Sequence, residues 1–145
     1  MKIKLICIGK NNSKSYDYEI NKYITRINSF INFSIIHFNN SKLIDKKIKT
    51  LKKNEELIFL LDENGNEYNS QEFASFIQKK NNLGFNKLTF IIGDHSGFPK
   101  LLIDSFKNKI ALSRMTFSHQ MIRLFFCEQL YRAITIINNH PYHNN

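Results

Sequence analysis

Leu57-Ile-Phe-Leu-Leu61 and Leu88-Thr-Phe-Ile-Ile92 decide the fold of this chain. Each is a near-continuous apolar run, closed by the turn Asp62-Glu-Asn-Gly65 in the first case and by Gly93 in the second. A strand wetted on one face alternates apolar and polar residues. One covered on both faces does not, and such runs belong to parallel sheets with helices above and below. Ahead of these runs, Lys2 to Gly9 reads as a strand, and Tyr16, Ile20, Tyr23, Ile24 and Ile27 recur at helical spacing. Phe33–Phe38 is a second β-rich run, followed by a short helix on Leu43, Ile44, Ile48 and Leu51. Asn69 with Glu72 forms a capping box that opens a helix on Phe73, Phe76 and Ile77. Pro99 suits the first turn of a helix carrying Leu102, Ile103 and Phe106. Ile110–Leu112 is a short strand, and His119 to about Asn138 is the longest helix, capped by Ser118. Strand and helix alternate five times. The expected fold is one α/β domain over residues 1–145, a mostly parallel sheet of five or six strands with helices on both faces.

Composition agrees with one soluble domain. The chain has 145 residues, 42% of them apolar, and no apolar stretch approaches the roughly 20 residues that span a bilayer. Lys2 and Lys4 interrupt the first apolar run and Gly9-Lys10 ends it, which is not the pattern of a signal peptide. Cys7 and Cys127 fit no zinc spacing and no disulfide framework, so no metal and a reducing cytoplasm are expected.

The net charge is +9, and residues 1–53 carry 12 basic and 3 acidic side chains against nine of each in the rest. Abundant Lys, Asn and Ile reflect in part the bias of AT-rich coding. The excess nevertheless concentrates in Ser41-Lys-Leu-Ile-Asp-Lys-Lys-Ile-Lys-Thr-Leu-Lys-Lys53. By itself this segment reads as the solvated face of an amphipathic helix. Its alternative is a polyanion surface, with RNA as the commonest cytoplasmic partner.

Open α/β sheets bind ligands beyond the carboxyl ends of their strands. That singles out Asp62–Gly65, Gly93–Pro99 and Ser113–Ser118. Five glycines form no dinucleotide fingerprint, Gly93-Asp-His-Ser-Gly97 is no phosphate loop, and no Ser/His/Asp triad follows from spacing. Asp94 and His95 read as loop polars on these grounds.

Four ordered segments then carry a resemblance. They are Phe90-Ile-Ile-Gly-Asp-His-Ser-Gly-Phe98, Ala111-Leu-Ser-Arg-Met-Thr-Phe-Ser-His-Gln-Met-Ile-Arg123, Glu128-Gln-Leu-Tyr-Arg-Ala133 and Asn139-His-Pro-Tyr-His143. Together with the opening Met1–Lys10 they resemble the ribosomal RNA large subunit methyltransferase H family over essentially the whole length. That family is a minimal SPOUT methyltransferase acting on N3 of a pseudouridine in 23S rRNA. The resemblance implies S-adenosylmethionine as cofactor, a C-terminal trefoil knot (an exception to unthreaded connections) and a homodimer through the last helix. The implied partner is 23S rRNA in the ribosome or large subunit, with no DNA and no membrane. By position it implies cofactor contacts from Leu61, Gly93, Leu112, Ser113, Arg114, Met115, Thr116 and Phe117. It implies catalytic roles for His119, Arg132, Tyr142 and His143.

Chemistry supports those residue types. An in-line methyl transfer needs alignment, exclusion of water and removal of an imide proton. Arginine can hold a phosphate or an anionic base, tyrosine offers a ring and a hydroxyl, and histidine titrates near cellular pH. Arg132 should also form an i,i+4 pair with Glu128. Pro141 steers the tail out of the helix, and the last helix is apolar around so much of its circumference that a second subunit is expected to cover part of it. Two positions depart from the family pattern: Asp94 stands where a second glycine is usual, and Ser118 where proline is. A positive φ at Asp94 would carry a cost. The rival readings are a non-catalytic ribosome- or RNA-binding protein of the same fold, and a flavodoxin-like signalling domain, which lacks the acidic strand-end cluster it would need.

Overall fold

In the computed structural model, which describes residues 1–9, 14–39, 43–94 and 97–144, five strands alternate with five helices. In chain order these are β1 (Lys2–Ile8), α1 (Asp17–Asn28), β2 (Asn32–Phe38), α2 (Ile44–Lys53), β3 (Leu57–Glu67), α3 (Ser70–Asn82), β4 (Lys87–Ile92), α4 (Lys100–Ser105), β5 (Lys109–Ala111) and α5 (His119–Ile137). The sheet order is β2-β1-β4-β3-β5, and every pairing is parallel. The register sets Leu5 beside Phe90 and Phe90 beside Phe59, so one row of side chains crosses the sheet at a single level.

Alternation along each strand divides the core in two. Leu5, Phe59, Phe90 and Ile92 point to one face, where Ile20 and Ile27 of α1, Phe73 and Ile77 of α3 and Phe126 of α5 cover them. Ile6, Ile8, Leu60 and Ile91 point to the other, under Ile44, Ile48 and Leu51 of α2 and Leu102 of α4. This double cover is why β3 and β4 read as near-continuous apolar runs. Phe90 and Phe126 are wholly buried with ring centroids 4.8 Å apart. Truncating either to alanine would cost about 3–5 kcal/mol.

The capping box of α3 is present in both directions: Asn69 accepts from the Glu72 amide at 2.8 Å, and Glu72 accepts from the Asn69 amide at 2.7 Å. Ser118 caps α5 by accepting from the Met121 amide. Pro99 sits one residue ahead of α4 rather than in its first turn, and Phe106 lies just past its end.

One expectation about β3 is corrected. Asp62–Gly65 does not end β3, which runs on to Glu67 with an irregularity between Leu61 and Asn66 in its pairing with β5. Gly65 makes this possible: a Cβ there would lie 2.5 Å from the Lys109 carbonyl carbon and 2.6 Å from the Ile110 nitrogen. Much of the apolar circumference of α5 is covered within the chain. The helix lies between α1 and α3 over the sheet, and Phe126, Leu130, Tyr131 and Ile134 are buried within the chain. Only Met121 and Phe125 of its large apolar side chains remain exposed.

Adjacent strands β3 and β4 continue to helices on opposite faces, α3 and α4. That divergence opens a crevice at their carboxyl ends, where the segment after β5 also arrives.

Candidate active site

A cleft of about 770 Å³ occupies that crevice. Leu61 and Gly93 line it from the strands, and Leu112, Ser113, Met115, Thr116 and Phe117 line it from the segment between β5 and α5. Seven of the eight residues expected to hold the cofactor therefore converge here. Gly93 is required by close approach: an added Cβ would stand 3.0 and 3.1 Å from the Gly97 carbonyl carbon and oxygen. The Gly97 amide donates to the Asp94 carbonyl at 2.8 Å, and Gly97 is itself left-handed, at φ 78°. Asp94 does not adopt a positive φ, so the cost foreseen for it does not arise. His95 and Ser96 lie outside the described residues.

Arg114, the eighth residue, does not line the cleft. Its Nη1 donates to the carbonyls of Glu63 and Gly65, both at 2.7 Å, and its Nε lies 3.4 Å from Glu67. The Thr116 hydroxyl donates to the Glu63 carboxylate. These bonds tie the loop to the extension of β3, a role that no local sequence signal announces.

A second cavity of about 670 Å³ runs along α5, with Phe125, Glu128, Gln129 and Arg132 on one side and Leu112, Ser113 and Phe117 on the other. The loop from Leu112 to Phe117 is thus a wall shared by both spaces.

Arg132 anchors a polar cluster at the end of this groove. Its Nε and Nη2 donate to Glu128 Oε1 at 3.1 and 2.7 Å, the i,i+4 pair expected from the sequence. The Tyr142 hydroxyl donates to the same oxygen at 3.0 Å, and its ring lies 4.9 Å from the guanidinium and 4.7 Å from the Tyr131 ring. Arg132 Nη1 lies 2.9 Å from His143 Nδ1. Arginine only donates, so Nδ1 accepts and the proton of a neutral ring resides on Nε2. Burial first, then hydrogen bonds with Tyr23 and Glu128, push the Tyr142 phenol well above its ordinary range. It stays protonated and serves as a donor. The Glu128 carboxylate raises Arg132 further, fixing its charge.

The tail is packed, not frayed, with Tyr142 against the core and His140 edge-on to Phe30. Tyr23 of α1, 3.4 Å from the Tyr142 hydroxyl, joins the cluster across 119 residues and had no signal in the sequence.

His119 stands apart from this group. It lines the cleft at the first turn of α5, thirteen residues before Arg132. At 1.5 Å per residue that is about 20 Å along the helix.

Both cysteines are free and buried. Burial pushes Cys7 up to about 12, against a smaller pull from Arg123, and raises Cys127 as well.

The chain belongs to the SPOUT methyltransferase family: residues 1–143 match the family model described as "Predicted SPOUT methyltransferase". Within that class it is similar to proteins named Ribosomal RNA large subunit methyltransferase H. Those of Christiangramia forsetii and Phocaeicola vulgatus are each 42% identical to it, over 99% of this chain and 99% of theirs. The one from Bacteroides fragilis is 41% identical over the same shares. Among solved structures, a probable methylase family protein from Haemophilus influenzae Rd KW20 superposes with a TM-score of 0.56 at 11% identity, over 99% of this chain and 70% of that one. A TrmH/SpoU tRNA modifying enzyme of A. aeolicus superposes with a TM-score of 0.53 at 9% identity, over 99% and 82%. At such identities these two bear on the fold alone.

Proposed function

We propose that the protein methylates N3 of a pseudouridine in 23S rRNA of the large ribosomal subunit, in the bacterial cytoplasm, with S-adenosylmethionine as donor. The observation carrying this reading is the shared wall. One loop, Leu112–Phe117, borders both a strand-end cleft of ligand size and a groove that ends at Arg132, Tyr142 and His143. The likeness to large-subunit methyltransferases over 99% of the chain supports rRNA as substrate.

The cleft suits the donor. Its volume lies in the ~300–1,000 Å³ range of ligand pockets. Leu61, Met115 and Phe117 offer apolar surface to an adenine, and Asp62, Glu63 and Asp94 bring carboxylates for a cationic ligand. S-adenosylmethionine, when bound, supplies a methyl group on a positively charged sulfur. The chain's own residues do the rest. Gly93 lets the 97–98 backbone close against the strand end, and Arg114 holds the loop in place. Arg132, permanently charged, meets an RNA phosphate or the charge that builds on the base as its N3 proton leaves. Tyr142 stacks on or hydrogen-bonds the base. Once Arg132 Nη1 turns to the substrate, His143 Nδ1 becomes available to take that proton. His119, on the cleft, acts at the donor.

The working unit is a homodimer with the trefoil knot of the family. Exposed Phe125 and Phe117 on the groove, with Met121 exposed on the same helix as Phe125, favour a second copy seated there. Calorimetric titration with S-adenosylmethionine, paired with tritiated-methyl transfer to unmodified large subunits, tests this reading. Binding together with transfer is expected. Binding of subunits without cofactor or transfer would favour a non-catalytic RNA-binding protein of this fold.

A further inference from the structure

Helix α2 takes no part in the cleft or the groove, yet it carries the densest charge on the molecule. Ile44, Ile48 and Leu51 bury one side of it against the sheet. The spacing of Lys46, Lys49 and Lys53 places those three on the opposite side, with Lys47 and Lys52 flanking. Lys46, Lys49, Lys52 and Lys53 are exposed. Among the described residues, none of the five ammonium groups has a carboxylate partner; Lys52 lies 4.9 Å over the Phe106 ring.

Folding does not account for this pattern. Lys52 and Lys53 in the last turn favour the helix, since cations there complement its dipole, but Lys46 and Lys47 sit in the first two turns, near the positive end. Lys46 and Lys49, and Lys49 with Lys52 and Lys53, are like-charge pairs at spacings of three and four, each weakly destabilising. Within the helix, only Asp45, four residues before Lys49, opposes them.

Position gives the charge a use. Because α2 follows the carboxyl end of β2 in an all-parallel sheet, its first turn lies at the same end of the sheet as the cleft. Ile44 and Ile48 share an apolar cluster with Phe98, which itself lines the cleft.

We infer that the lysine face of α2 is a second, non-catalytic binding surface that holds the phosphate backbone of the RNA substrate beside the cleft. The inference rests on the RNA reading given above. Phosphate contacts position a nucleic acid without reading its sequence, and each one releases counterions. Lost contacts therefore appear as lost salt dependence.

The test compares the full-length protein with Lys46→Gln/Lys49→Gln/Lys53→Gln and with the corresponding triple arginine variant. Binding to large subunits lacking the modification is measured across salt concentrations, alongside S-adenosylmethionine titration and methyl transfer. The glutamine variant should bind roughly tenfold or more weakly near physiological salt. Its slope of log K against log[salt] should be shallower by about 2–3, from ~0.7–0.9 per phosphate contact. Cofactor affinity and kcat at saturating subunits should match the wild type, and the arginine variant should restore affinity and slope. An unchanged slope in a variant that still binds cofactor overturns the inference while leaving the methyltransferase reading intact. A shallower slope in a protein that transfers no methyl group sustains the surface and overturns that reading instead. Charge-dependent binding to phosphatidylserine vesicles with no α2-dependent binding to subunits would assign the face to a membrane and overturn the inference.

Discussion

Tyr142→Phe removes one hydroxyl from the cluster at Arg132 and leaves the ring. The ring keeps its neighbours: Tyr131 at 4.7 Å and the Arg132 guanidinium at 4.9 Å. The hydroxyl's loss leaves Glu128 Oε1 with two donors from Arg132, at 3.1 and 2.7 Å, so the carboxylate is not orphaned. A hydrogen bond to a charged acceptor contributes roughly 1.5–3 kcal/mol when buried. Glu128 and Arg132 are only partly buried, at 19% and 25% side-chain exposure, which reduces the expected loss to about 1 kcal/mol. For a chain of this length that lowers Tm by about 3–5 °C. Affinity for S-adenosylmethionine should stay within about twofold, because Tyr142 does not line the cleft. Methyl transfer should fall much further, roughly 10–100-fold in kcat, which corresponds to about 1.4–2.8 kcal/mol of transition-state stabilisation. Differential scanning fluorimetry, cofactor titration and tritiated-methyl transfer on one preparation separate the three quantities. Unchanged kcat beside the predicted loss of Tm would make Tyr142 a structural strut and refute its role at the base.

Truncation after Asn138 should cost more stability, about 2–4 kcal/mol, since the ring contacts go too. It should still bind S-adenosylmethionine by calorimetry and transfer no methyl group. Gly65→Ala drives a methyl into the backbone of Lys109 and Ile110, which cannot yield as a side chain would. A loss of about 2–3 kcal/mol in urea unfolding is expected, with weaker cofactor binding because the carbonyl of Gly65 anchors Arg114. Glu56 titrates below its ordinary 4.5: burial pushes it up, but bonds from Lys4 and Thr89 together outweigh that. Its folded value being depressed, its contribution is present above about pH 4.5 and disappears as pH falls through the folded value. Glu56→Gln should therefore be less stable than wild type at pH 7, with the difference shrinking in denaturation curves below pH 4.5. Cys7, pushed up to about 12 by burial, should resist iodoacetamide at pH 8 until the protein unfolds. Labelling of the native chain, read by mass spectrometry, would contradict the burial.

What was legible in the sequence was mainly local. Asn69 with Glu72, and Ser118 before a long helix, announce their caps because the bonded groups lie three residues apart. The runs in β3 and β4 announce two covered faces because each residue reports its own burial. Asp62-Glu-Asn-Gly65 misleads for the opposite reason. Its turn-forming composition is local, whereas Gly65 is set by the β5 backbone lying against it, more than 40 residues onward. The apolar circumference of α5 reports burial without naming its partner, since apolarity does not reveal whether α1 and α3 or a second chain covers it. In the site, Leu61, Gly93 and the loop after β5 follow from strand-end topology together with the family resemblance. Tyr23, Glu63 and Gly65 act through contacts between distant segments, and nothing near them in the chain marks those contacts.

The decisive measurement is nucleoside mass spectrometry of 23S rRNA from cells with and without this gene. An N3-methylated pseudouridine should be present in the first, absent from the second and restored by the wild-type gene, but only weakly by Tyr142→Phe. The same methylated nucleoside at equal abundance in both strains would contradict the assignment of this protein as its methyltransferase.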